Sequence, residues 1–152
     1  MKIKLFEITI TSLFIVSCIS TKPIQESCEQ VTSKIFNKKS TILQTNTTWE
    51  NYYENKNIIW EVKVINVLES RAPIYSSFYE DKYFGSGYVV YMKCSDHNIY
   101  GYYPEFLSVG KSYMLKINSN EKYQISGTLK SFNLNTGSTT IYTDISKIIK
   151  VR

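Results

Sequence analysis

From Ile58 onward the chain alternates with a period of two. Trp60, Val62 and Val64 are apolar, and Glu61 and Lys63 between them are charged. That is the pattern of a strand with one face in a core and the other in water. The phase then slips, so that Ile65 and Val67 flank Asn66. A one-residue slip turns every later side chain to the other face, which predicts a bulge or sharp coil inside a long first strand over 58–69. A second strand is expected over 87–94, with Tyr88, Val90 and Met92 on one face. Ser95, Asp96, His97 and Asn98 read as a turn, and 99–103 as the returning strand of a hairpin that Pro104 ends. Residues 105–110 read as a helical turn closed by Gly110. Strands follow over 113–117 and 123–132, with Tyr123, Ile125, Gly127 and Leu129 facing one way. Gly127 in mid-strand predicts a bend or a close backbone approach. Residues 133–138 read as a turn, and 139–151 as a last strand with Ile141, Thr143, Ile145 and Ile149 in phase.

The region before Ile58 lacks this alternation. Residues 29–36 are expected to form a short helix and 48–53 a second, capped by Thr47 or Thr48 with Glu50 in its first turn. Composition agrees with a mainly β chain of 152 residues: 13 tyrosines, few glycines and few prolines. The length suits one domain plus a leader. The net charge of +5 is diffuse, with Lys38-Lys39 the one adjacent basic pair. A mildly basic solvated surface accounts for it.

The first residues carry a different pattern. Lys2 and Lys4 precede an apolar run over 8–16 that is too short to cross a bilayer as a helix, which needs about 20 residues. It has the length of a signal-peptide core. Ile15, Val16, Ser17 and Cys18 follow, and this quartet resembles the bacterial lipobox. The resemblance implies that Cys18 receives a diacylglycerol and becomes the mature N-terminus after cleavage. More than one acyl chain gives a stable anchor, at about 0.8 kcal/mol per buried methylene. Ile19 stands where aspartate is common in lipoproteins kept at the inner membrane, which favours an outer membrane where one exists. The expected organisation is a signal peptide over 1–17, a lipidated tether over 18–27, a helical or irregular segment over 28–56 and a β domain over 57–152. The expected location is a cell membrane or outer membrane, lipid-anchored and extracytoplasmic.

Of three cysteines, Cys28 and Cys94 remain once Cys18 is assigned. A disulfide between them suits an oxidising compartment, and two buried thiols are the alternative. His97 is the one histidine and has no Cys-x-x-Cys companion, so no metal site is expected.

About five strands with a mid-strand glycine in the fourth resemble the OB-fold, a small five-stranded Greek-key barrel. The resemblance covers 57–152. It rests on Trp60-Glu61-Val62-Lys63-Val64, Val109-Gly110-Lys111 and Ile125-Ser126-Gly127-Thr128-Leu129. The long connection over 70–86 and the inserted turn over 118–121 depart from the pattern. OB barrels bind ligands on strands two and three and the nearby loops. In this chain that implies a surface containing Tyr88 or Tyr91, Tyr100, Tyr102 and Tyr103, with Tyr75, Tyr79 and Tyr83 from the connection. Each such ring either stacks on a ligand or fills core.

Catalytic groupings are missing from the sequence. There is no phosphate-binding glycine loop, no paired-histidine motif, and a nucleophile–histidine arrangement would depend on His97 in a turn. No catalytic residue and no cofactor is expected. The reading is a membrane-anchored binding module for an envelope protein or glycan. An OB-fold nucleic-acid-binding protein ranks below it, because export removes the chain from the cytoplasmic pool. A small periplasmic enzyme or enzyme inhibitor ranks third. Oligomeric state is left open.

Overall fold

The computed structural model describes residues 22–70, 87–104, 110–135 and 138–151. The lipobox with Cys18, and Tyr75, Tyr79 and Tyr83, lie outside the described residues.

Five strands close into a barrel: β1 (Asn57–Ser70), β2 (Gly87–Cys94), β3 (His97–Pro104), β4 (Lys122–Asn135) and β5 (Ser138–Lys150), in the spatial order β1-β2-β3-β5-β4. The long β1 makes closure feasible. Its first half pairs with β4 and its second half with β2, and Lys63 takes part in both. β3 and β5 run parallel, while the other neighbours are antiparallel. This is the OB-like barrel that the sequence resembles, with a short helical segment before it.

The alternation in β1 works as read. Trp60, Val62 and Val64 are buried while Glu61 and Lys63 are exposed. Val64 pairs with Met92 and Asn66 with Tyr91, so Ile65 is the extra residue of a bulge. Val67 then faces Val90 inside, and Leu68 turns outward. The core is built from Val90, Met92, Ile99, Ile125, Leu129, Ile141 and Ile145, each at most 1% exposed.

β5 corrects the expected phase. Ile149 is 42% exposed and Ile148 takes the core position at 4%. Ser126 pairs with Lys147 but Gly127 with Ile145, so Ser146 is an extra residue that flips the faces beyond it. The same place explains Gly127. A Cβ there would lie 2.0 Å from the carbonyl oxygen of Asp144. The close approach expected at this glycine is therefore one of backbone on backbone.

The hairpins are tighter than the turn residues imply. His97 pairs with Cys94 and Asn98 with Lys93, so only Ser95 and Asp96 form the β2–β3 turn. Asn133 to Asn135 likewise belong to β4. The strand expected over 113–117 is absent. Helix α3 (Gly110–Met114) stands there with further turn bonds, Lys116 N–H to Tyr113 and Ile117 N–H to Met114. Met114 is buried and Tyr113 and Ile117 half-buried, a helical spacing that places all three toward the barrel, while Leu115 is 75% exposed. Asn120, at φ 66°, turns the chain into β4.

Two helices precede the barrel. In α1 (Cys28–Ile35), Ser27 Oγ accepts from Gln30 N–H at 3.2 Å, and Gln30 Oε1 accepts from Ser27 N–H at 2.8 Å. This capping box satisfies two N-terminal donors. Cys28, Val31, Thr32 and Ile35 form the buried stripe. α2 (Ile42–Tyr52) starts six residues before the expected 48. Its cap is Thr41, which forms a second capping box with Gln44. Thr47 and Thr48 cap nothing; inside the helix they donate to the carbonyls of Leu43 and Gln44. Trp49 packs on Phe132 at 5.1 Å and so seats α2 on β4.

Candidate binding face

The pairing register decides which tyrosines share a surface. Tyr91 of β2 lies opposite Tyr100 of β3, and Tyr100 lies opposite Tyr142 of β5. All three point out of the barrel, because their neighbours Val90, Met92, Ile99, Ile141 and Thr143 point in. The rings touch edge to face, at 4.7 Å for Tyr91–Tyr100 and 5.7 Å for Tyr100–Tyr142. This geometry sets the positive edge of one ring against the negative face of the next. It fixes a three-ring row across the outer wall. Tyr91 and Tyr100 are half-buried, and Tyr142 is 9% exposed. Burial holds the Tyr142 hydroxyl above its usual range, with Asn133 pulling the other way.

One step along the strands is a second row, Val89, Tyr102 and Asp144. Tyr102 is on the expected outer face, but it is 6% exposed. Its ring lies over Gly87, where a Cβ would come within 2.6 Å of it. It covers that glycine and offers no open platform. Tyr88 and Tyr103 point inward and are core residues at 4% and 2%. Thus the structure brings Tyr100 and Tyr102 to one wall and leaves Tyr100 the accessible one. Tyr142 was not singled out in the sequence, since only the parallel β3–β5 register places it beside Tyr100.

On the other side of the tyrosine row the register continues as Lys63, Lys93, Asn98 and Thr140, with Lys122 paired to Lys63. Lys130 Nζ sits 3.5 Å from Asp144 Oδ2 and 3.3 Å from Asn55 Oδ1. The wall therefore combines rings, hydroxyls and cations, which hold a ligand by stacking and hydrogen bonding rather than by covalent chemistry.

His97 does not belong to it. Its ring lies beside the helical segment, stacked on Phe36 at 4.8 Å, with Nδ1 2.7 Å from Thr139 Oγ1. Burial lowers its pKa, and Asp96 opposes this weakly. Its contacts fasten the β2–β3 hairpin to α1. Among the described residues no group of three or more His, Cys, Asp or Glu is placed to hold a metal ion.

Cys28 and Cys94 form a disulfide, with Cα atoms 6.1 Å apart. It joins the first residue of α1 to the end of β2. Both cysteines are buried, at 3% and 4%. Trp60 Nε1 donates to the Glu26 carbonyl at 3.0 Å, Ile24 N–H to the Asn57 carbonyl at 2.9 Å, and Tyr53 Oη to Glu26 Oε2 at 3.0 Å. The N-terminal segment is thereby bound along the start of β1.

No family model and no curated protein matches the chain. Among solved structures it is similar to a crystal structure described as an aspartyl-tRNA synthetase from Leishmania major Friedlin. The TM-score is 0.50 at 10% identity, over 91% of this chain and 22% of that one. Aspartyl-tRNA synthetase from Entamoeba histolytica gives a TM-score of 0.46 at 9% identity, over 66% of this chain and 19% of that one. The chain spans only about a fifth of the length of either structure. At such identity the first likeness speaks for the fold, and it agrees with the strand order: this is an OB-like barrel.

Proposed function

We propose that the protein is an exported, lipid-anchored OB-fold module that binds an envelope glycan or protein through Tyr91 and Tyr100, with the buried Tyr142 ring backing them. The observation that carries the binding role is the in-register packing of these rings on the wall that OB barrels use for ligands. Rings already ordered by their neighbours lose little further freedom when a ligand arrives. The Cys28–Cys94 disulfide supports export, since such bonds persist in oxidising compartments. Cys18 supplies the anchor in this reading. The test is titration of the full chain with soluble peptidoglycan fragments, alongside a cross-linked pull-down from envelope extract. Tyr100→Ala should weaken either interaction at least tenfold while the fold is kept. Equal binding by the variant and the parent, or binding by neither, refutes the reading.

A second reading is a single-stranded nucleic-acid site. The OB-like fold and the position of Lys93, two residues from Tyr91 on the same face of β2, support it. Stacking platforms beside cations are the usual device for single strands. A short oligonucleotide would then bind with an affinity that falls steeply with salt, because phosphate contacts release counterions. Glycan binding would change little with salt.

A further inference from the structure

Lys122 of β4, Lys63 of β1 and Lys93 of β2 stand opposite one another in register. All three are exposed. With strands about 4.8 Å apart, the three cations lie within roughly 10 Å. Like charges directly opposite across strands destabilise a sheet. Among the described residues none of the three makes an ion pair, although Lys34, Lys111, Lys130 and Lys150 do. The row borders a groove of about 550 Å³ whose other side is the N-terminal segment over 25–30. Acids also border it and offset part of the row's charge, Glu61 standing two residues from Lys63 on the same exposed face. Glu26 is engaged by Lys34 and Tyr53. Among the described residues Glu29 and Glu61 pair with no lysine. Ile59, which lines the groove, is 50% exposed, and Ile149 beyond Gln124 is 42% exposed.

We infer that this lysine row docks on an anionic lipid surface and orients the barrel on the membrane. The inference rests on the lipid-anchor reading. Gln25 is seven residue steps from Cys18, a span of at most about 25 Å when extended. An anchored Cys18 therefore keeps the groove beside Gln25 close to the headgroups. Each lysine facing an anionic leaflet gains up to about fivefold in partition, a gain that Glu29 and Glu61 on the same groove reduce. Exposed isoleucines beside them can enter the headgroup boundary, as apolar side chains of peripheral proteins do. They would have no counterpart on a phosphate backbone. Anchor and row together form a two-signal attachment.

The experiment is lysine footprinting by an amine-reactive label, read by mass spectrometry, on the full chain as expressed. Vesicles of phosphatidylcholine alone are compared with vesicles containing one-third phosphatidylglycerol. Labelling of Lys63, Lys93 and Lys122 should slow at least threefold on the anionic vesicles, and high salt should restore it. Lys38 and Lys39 should not change. In a Lys63→Gln, Lys93→Gln, Lys122→Gln variant of unchanged melting temperature, the anionic protection of nearby Lys22 should vanish. Equal labelling on both vesicles overturns the inference, as does protection by an oligonucleotide without protection by lipid. Intact mass of the same sample reports acylation at Cys18, so failure of the anchor and failure of the lysine row are read separately.

Discussion

Removing the Cys28–Cys94 bond tests both the stability of the fold and its compartment. The two residues are 66 apart in sequence. A loop of that length loses entropy on closure by about 2.1 + 1.5R ln 66 cal/mol/K, or about 4 kcal/mol at room temperature. The stabilisation acts mainly on the unfolded chain. In the native state the bond fastens α1 to the β2–β3 hairpin, which Phe36 and His97 also join. Val31 and Ile35 of α1 remain buried in the shared core, so cutting the bond should loosen α1 without releasing it. A Cys28→Ala, Cys94→Ala variant should lose about 3–4 kcal/mol in guanidinium unfolding, and its melting temperature should fall by roughly 10–15 °C. Reduced parent protein should behave alike. Thiol titration in denaturant adds an independent reading. An acylated, oxidised chain shows no free thiol; an unacylated one shows Cys18 alone. A variant within 1 kcal/mol of the parent, or a parent with both Cys28 and Cys94 titrating, refutes the argument.

Three further outcomes follow from local geometry. Gly127→Ala would set a Cβ 2.0 Å from the Asp144 carbonyl oxygen, and backbone cannot rotate away as a side chain can. It should cost about 3 kcal/mol or more in thermal unfolding, and a parent-like melting curve would contradict the close approach. Thr143 is fully buried and its hydroxyl has no hydrogen-bond partner among the described residues, so Thr143→Val should raise stability by about 1 kcal/mol in urea titration. A loss there would mean that the hydroxyl is satisfied. His97 is held below its ordinary pKa of 6.5 by burial, so the unfolded chain binds the proton more tightly than the folded one. Its contribution to stability is complete above about 6.5 and is lost as pH falls from there toward its folded pKa. His97→Gln should flatten that part of the stability–pH curve; an unchanged curve would assign the dependence to other groups.

Much of the barrel was written in local alternation. Trp60 to Val64, Tyr88 to Met92 and Tyr123 to Leu129 each announce a strand and its buried face, because a period of two has no other structural meaning. Even the bulge at Ile65 shows in the sequence, since the apolar phase itself slips. By contrast, the bulge at Ser146 could not be read. It leaves Ile148 and Ile149 adjacent, and only pairing with β4 decides which goes inside. The short segment at Tyr113 fits either period, and as a helix it turns Tyr113, Met114 and Ile117 together toward the barrel. α2 was half missed because Thr47 and Thr48 resemble caps, whereas Thr41 and Gln44 form the box.

The candidate site divides along the same line. Sequence alone determined the alternation of β1, β2 and β4, the likeness of 15–18 to a lipobox, and an abundance of tyrosine. Tertiary structure decided that Tyr100 meets Tyr91 and Tyr142, that Tyr102 covers Gly87, that Cys28 reaches Cys94, and that Lys122, Lys63 and Lys93 align. Side-chain period is set by each strand's own backbone, so neighbours in sequence suffice to read it. Register between strands is set by closing the whole barrel, and it joins residues far apart in the chain.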